Sequence, residues 1–261
     1  MKDNAQTEAR PKVCQLGAVA TVLDEVRKEE WRTRLAFFDS VLAESQSAGR
    51  GQYRRSWSSP AGNIYAALRL PMEAPFAGTE AAVVIGAWLV KALRAEGFPC
   101  LLKWPNDVVL MDGETPRKVC GILLEERDQA LFAGIGINVV HSPSEDELRS
   151  GAALPAGSLA GYAQKHGIPE PERVSLWKSL VNHLFSSYTQ SRILAPGFWR
   201  EEADSLLLWR NQPVALEDGD RLEYGTIRGV GPNGELMLSS QCGMRQFLSG
   251  SIRRSLQGRG A

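Results

Sequence analysis

Four short apolar runs crowded between Leu101 and Val140 constrain the fold of this chain more than any other feature. Leu101–Trp104, Val108–Leu110, Val119–Glu125 and Leu131–Val140 read as strands. Asp112-Gly113 supplies a turn between the second and third, and the polar turn Arg127-Asp128-Gln129 leads into the fourth. Such a meander implies a mixed, mostly antiparallel sheet with helices packed on one side, an α+β fold. Gly62–Leu70 alternates in the same way, with Ile64, Ala66, Leu68 and Leu70 on one face and Asn63, Tyr65 and Arg69 on the other. Thr79–Glu96 is apolar on most sides and reads as a helix buried against the sheet, with Thr79 as its N-cap and Gly97 just past its end.

The flanking segments are less regular. Residues 1–12 read as a frayed tail, Leu23–Phe37 as a possible helix and Val41–Ala43 as a short strand. Residues 141–172 are rich in Ser, Pro, Gly and Ala and look loop-like. Val174, Trp177, Leu180, Val181, Leu184, Phe185 and Tyr188 recur at threes and fours, an amphipathic helix, and Pro196 opens another through Trp209. After Asn211 the pattern changes to short strands at Val214–Glu217, Leu222–Val230, Leu236–Leu238 and Gln246–Leu248, joined by Asp218-Gly219 and Asn233-Gly234. That spacing predicts a small β-barrel of roughly fifty residues. A boundary near Leu208 divides the chain into domains at residues 1–208 and 209–261.

Charge and cysteine content narrow the function. Thirty basic residues balance thirty acidic ones, which argues against a general nucleic-acid or membrane-surface binder. Cys14, Cys100, Cys120 and Cys242 are scattered, and His141, His166 and His183 do not cluster with them, so neither a zinc site nor a disulfide framework is expected. Met1–Arg10 is polar and lacks the apolar core of a secretory signal, and Ala81–Val90 is too short to span a bilayer. These features predict a soluble cytoplasmic protein.

Four segments carry candidate chemistry. Gly49–Trp57 combines two glycines, whose N–H groups can approach an anion, with Arg50, Arg54 and Arg55 and an aromatic face at Trp57. A solvated basic turn anchored by Trp57 accounts for it equally well. Lys103-Trp104-Pro105-Asn106-Asp107 places Lys, Asn and Asp at one strand corner, where Lys neutralises phosphate and Asn or Asp orients Mg²⁺ or a hydroxyl. In Lys118–Glu125 a strand carries Lys118 at its start and Gly121 inside, which either a ligand close to Gly121 with Lys118 at its charged end, or a surface lysine and a bulge glycine, explains. Gly134-Ile135-Gly136-Ile137-Asn138 lacks the third glycine and the helix of a dinucleotide fingerprint, and reads as a strand whose glycines allow close approach, ending at a polar Asn138.

Together and in this order the four segments resemble the biotin protein ligases: an A-G-R-G loop ending in Trp (Ala48–Trp57), K-W-P-N-D (Lys103–Asp107), K-x-x-G-I-L-x-E (Lys118–Glu125) and G-I-G-I-N (Gly134–Asn138). Residues 212–253 resemble the family's small C-terminal SH3-like domain. The resemblance implies a biotin/lipoate ligase-like catalytic domain and a two-step reaction. ATP and biotin give biotinyl-5′-AMP and pyrophosphate, and a lysine of a biotin carboxyl carrier domain then takes the biotin. It further implies catalytic Lys118, Arg50 and Lys103. Biotin would lie against Thr21, Gln46, Gly49, the Arg50 backbone and Gly121. The nucleotide would lie against Trp57, Lys103, Asn106, Asp107 and Asn138, with Mg²⁺ near Asp107.

The sequence departs from the pattern where the family has S-T-N and this chain has Ala20-Thr21-Val22, and where Gln52 and Arg54 replace an Arg and a Gly of the loop. The first change leaves only Thr21 to stand in for the family's biotin contact, and the second predicts looser closure of the loop over the adenylate. Only 45 residues precede Gln46, so the repressor domain that many members carry, and with it DNA binding, is not expected. The rivals are a lipoate or octanoate ligase, whose R-R-x-S-G-G-G loop is absent, and a non-catalytic biotin- or nucleotide-binding module. Both monomer and homodimer fit the resemblance.

Overall fold

The computed structural model describes residues 10–144, 146 and 154–255, without the side chain of Arg54. The tail expected over residues 1–12 falls largely outside this range. The first strands are β1 (Val13–Val19), β2 (Ser40–Gln46) and β3 (Ile64–Leu70), with short helices α1 (Val22–Glu25) and α2 (Glu29–Arg34) between β1 and β2. After helix α3 (Ala81–Ala95) come β4 (Cys100–Lys103), β5 (Asp107–Asp112), β6 (Thr115–Arg127) and β7 (Ala130–Ile137). Helices α4 (Leu159–His166), α5 (Arg173–Ser191) and α6 (Trp199–Leu206) lead to β8 (Pro213–Asp218), β9 (Arg221–Val230), β10 (Leu236–Ser240), β11 (Gly243–Phe247) and β12 (Ser251–Arg254).

The meander forms the heart of a seven-stranded sheet ordered β1-β2-β3-β7-β6-β5-β4. Only β1 and β2 run parallel. Asp128 and Gln129 both take positive φ, as a tight two-residue hairpin turn requires. Helix α3 is buried along most of its length, as its all-round apolar sequence predicts, and packs with α5 and α6 over one face. Helices are not confined to that side. Val22, Leu23, Val26, Trp31 and Leu35 form a second core on the opposite face with Tyr65, Ala67 and Phe132. Both faces of β3 are therefore covered, and only Arg69 along it is partly exposed.

Other differences have local causes. The helix expected over Leu23–Phe37 is broken into α1 and α2, and the loop expected over 141–172 contains α4. Helix α4 is capped by Ser158, whose Oγ accepts the Gly161 N–H, and ends at Gly167 with φ 66°. Helix α6 begins at Trp199 rather than Pro196. Thr79 does not cap α3; its hydroxyl donates to the Asn233 carbonyl. Strands β8–β12 make a separate antiparallel sheet ordered β11-β10-β9-β8-β12. Among the described residues no pairing closes this sheet into a barrel. Its apolar face continues the main core through Val214, Leu216, Ile227, Leu236 and Ile252. Among the described residues no helix is long and apolar enough to cross a membrane.

Candidate active site

The site is built on the face of the sheet that α3 does not cover, where β5, β6 and β7 lie side by side. Gly121 of β6 is directly opposite Gly136 of β7. This glycine pair leaves a bare patch of backbone, and the indole of Trp57 lies on it. A Cβ on Gly121 would come within 2.9 Å of the ring, and one on Gly136 within 2.8 Å. The Trp57 Nε1 is buried without a hydrogen-bond partner. Lys118 Nζ sits 5.3 Å from the ring centroid, in cation–π range.

Beside this patch two lysines share one carboxylate. Lys118 Nζ is 2.5 Å from Asp107 Oδ1, and Lys103 Nζ is 3.5 Å from Oδ2. The side chains of Lys103 and Asp107 are 6% and 13% exposed, that of Lys118 32%. Burial, reinforced by the charges of Lys118 and Arg55 and opposed by Asp107, holds the Lys103 ammonium below its usual pKa. Burial alone would raise the Asp107 carboxyl, but the two lysines overcome it and hold the group below the usual carboxylate range. The corner is shaped by β4 ending at Lys103. Trp104, Pro105 and Asn106 form the turn, the Trp104–Pro105 bond is cis, and Asn106 ties it to β6 through Nδ2 donating to Ile122 O at 2.8 Å.

The Gly-Arg segment is a tight hairpin over this face. Trp57 N–H donates to Gly49 O, Gly51 N–H donates to Arg55 O, and Tyr53 turns the tip with φ 57°. Arg50 Nη2 is 2.6 Å from Asp24 Oδ1 and 4.0 Å from Glu125 Oε1, in a cluster that includes Arg27. At the hairpin's root the Gln46 carboxamide has a defined orientation. Its Oε1 accepts the Val22 N–H at 2.8 Å, capping α1, and its Nε2 donates to Ser59 Oγ at 3.0 Å. Gly49 lies so close that a Cβ there would be 2.5 Å from Ser59 Oγ.

The biotin/lipoate A/B protein ligase family model matches residues 18–141, which span all of these elements. A biotin–[acetyl-CoA-carboxylase] ligase of Paracoccus denitrificans is 32% identical over 218 residues, covering 78% of this chain and 85% of that protein. This chain belongs to the biotin/lipoate protein ligase family. The bifunctional ligase/repressor BirA of Escherichia coli is 31% identical over 225 residues, 82% of this chain; the chain spans 65% of that relative's length. Among solved structures, a biotin protein ligase from Aquifex aeolicus in complex with biotin and ATP superposes with a TM-score of 0.76, covering 94% of this chain and 99% of that one. At 24% identity that likeness establishes the fold.

In this member of the family, Lys103, Lys118, Asp107, Trp57 and Gly121 converge. Arg50 does not join them. Its guanidinium is held by Asp24 and Glu125, and among the described hairpin side chains the charge of Arg55 bears on Lys103. Asn138 is buried beside Lys118's strand, with its backbone N–H on Val119 O and its Nδ2 on Gly157 O. Thr21 is buried at the start of α1, and its side chain makes no capping bond. Both Asp107 oxygens face ammonium groups, and no group of three or more His, Cys, Asp or Glu among the described residues could hold a metal. The residues present therefore do not fit a protein-held Mg²⁺ at Asp107. The sequence reading missed Ser59, which links Gln46 to the Trp57 carbonyl. The close approach expected at the glycines of Gly134–Asn138 is made at Gly136 by Trp57, and only the register shows that Gly136 lies opposite Gly121.

Proposed function

We propose that this chain is an ATP-dependent biotin protein ligase acting on a biotin carboxyl carrier domain. The observation that carries the reading is the Lys118–Asp107–Lys103 cluster beside a glycine-paved strand pair. The biotin carboxylate and the triphosphate are both anions, so their approach requires fixed positive charge. Lys118, the more exposed lysine, stands where the two would meet, and Lys103 supplies charge from behind. Asp107 holds both ammonium groups in place. A biotin carboxylate oxygen attacks the α-phosphorus, the bond to the bridging α–β oxygen breaks, and pyrophosphate leaves. In the second step the unprotonated amine of the acceptor lysine attacks the acyl carbon; AMP departs with the bonding electrons and the amine loses a proton.

The neutral ureido ring needs donors and acceptors of defined orientation, which Gln46 and the backbone around Gly49 and Arg50 supply. A ligand resting on Gly121 must displace Trp57 or stack upon its ring. Mg²⁺ enters with the triphosphate it binds.

Incubation with biotin, ATP, Mg²⁺ and a carrier domain, read by intact mass, tests the reading; lipoate and octanoate in place of biotin separate the family's branches. Lys118→Ala should reduce biotin-dependent ATP–pyrophosphate exchange at least 100-fold, roughly the scale of losing one transition-state donor, with an unchanged circular-dichroism spectrum. Undiminished exchange in that variant would refute the role of Lys118.

A further inference from the structure

The alternation over Gly62–Leu70 sets Asn63 on one face of the expected strand, with Tyr65 and Arg69, and gives it no task. Asn63 in fact precedes β3 and is buried, 1% exposed. Its Oδ1 accepts three consecutive backbone N–H groups, from Val139 at 2.9 Å, Val140 at 2.9 Å and His141 at 3.0 Å, and its Nδ2 donates to His141 O at 2.9 Å. All four bonds hold the stretch that begins just after Asn138. Three N–H groups on one oxygen are more than a carboxamide needs for its own satisfaction; without it they would be left without these partners.

That stretch is the first link of a ladder running to Lys118. Val139 O accepts the Ala160 N–H and Asn138 O the Leu159 N–H, while Asn138 Nδ2 donates to Gly157 O. Gly157 N–H in turn donates to Lys118 O, and Lys118 N–H donates to Pro155 O. The N–H and C=O of Lys118 are thus both taken by residues 155–157; Gly157 is held in turn by Asn138, and Ala160, three residues on, by Val139, whose own N–H rests on Asn63. None of these bonds touches Gln46, Gly49 or the hairpin root, where the ureido ring is placed.

We propose that Asn63 is a positioning residue that sets the nucleotide side of the active site, from Asn138 through residues 155–160 to Lys118, without acting on the biotin side. The assignment of sides rests on the ligase reading above; the mechanical link does not. Asn63→Ala removes the shared acceptor, and Asn63→Asp keeps an oxygen for the three N–H groups while losing the donor.

The first measurement is hydrogen exchange on the substrate-free protein. Asn63→Ala should raise exchange at Val139, Val140 and His141 and also at Gly157, Leu159 and Ala160, with the Gln46–Ser59 segment unchanged. The second is ATP–pyrophosphate exchange, in which Asn63→Ala should raise the KM for ATP roughly tenfold and leave the KM for biotin within twofold. Asn63→Asp should restore most of both properties, and it decides the matter if the alanine variant does not fold. Faster exchange confined to 139–141, equal rises in both KM values, or an aspartate variant as impaired as the alanine one would each overturn the proposal. Absence of exchange activity in the native protein would sink the ligase reading, while the hydrogen-exchange pattern would still decide the link.

Discussion

Lys103 is an ammonium group almost out of water, and Asp107 is the reason it is tolerated. Removing one partner of such a cluster leaves an uncompensated charge, so Asp107→Asn should destabilise the protein by about 3 kcal/mol at neutral pH in urea unfolding. The sign with pH follows from the two shifts. Asp107 titrates below its ordinary 3.8 in the folded state, so its contribution is present above that value and disappears as pH falls through the folded pKa. Lys103 is shifted below 10.5, so its burial costs stability at pH values below its folded pKa, and that cost is relieved as pH rises toward 10.5. The gap between native and Asp107→Asn proteins should therefore be wide at pH 7 and shrink in acid below pH 3.8. A gap independent of pH would contradict the charge-pairing account.

At the scale of elements, the Gly49–Trp57 hairpin is held over the sheet by two contacts of different kinds. One is apolar, the indole on Gly121 and Gly136; the other is ionic, Arg50 on Asp24 at the end of α1. The ionic contact is partly exposed and should be worth under about 1 kcal/mol. Asp24→Asn should therefore leave the melting temperature nearly unchanged yet raise the rate of tryptic cleavage in the hairpin about two- to fivefold. High salt should have the same effect on the native protein and little on the variant. Cleavage at the native rate in the variant would show that Trp57 alone keeps the hairpin down.

For the whole molecule, the notable joint is between the two sheets. The Asn233-Gly234 turn of the second sheet presses on the start of α3 and on the K-W-P-N-D corner. Trp104 Nε1 donates to Gly234 O at 2.8 Å, and a Cβ on Gly234 would lie 2.6 Å from Glu80 Cα. Gly234 has φ 78°, so a side chain there meets both backbone strain and a clash. Gly219, in the other turn, has φ 61° with nothing within 4 Å of its missing Cβ. Gly219→Ala should thus cost about 1 kcal/mol from strain alone, and Gly234→Ala about 2 kcal/mol or more, read by chemical denaturation. Equal costs would mean that the turn is not seated on the catalytic part as described. Because the corner it touches carries Lys103 and Asp107, the seat also links the second sheet to the site.

The local code was strong where period and turn chemistry agreed: the strands from Cys100 to Ile137, the buried helix α3, and the amphipathic α5 all follow from spacing that places apolar side chains on one face or all round. The motifs were legible too, because Lys103, Asp107, Lys118 and Gly121 lie on adjacent strands whose register the meander itself dictates. Strands β1 and β12 were not legible, since these two bury few of their residues and carry a weak alternation, and α4 was masked by Ser, Gly and Ala in its flanks. The sequence shows Arg50 as a cation but not its partners; Asp24 and Glu125, 26 residues before it and 75 after it, come beside it only when α1 and β6 pack. The same holds for Asn63, whose three bonds to Val139–His141 join positions 76 to 78 residues apart. What the chain carries in itself is the set of elements and the chemical groups; which groups share a carboxylate, a carbonyl or a bare patch of backbone is decided by long-range packing, because those contacts are made between residues that no local pattern relates.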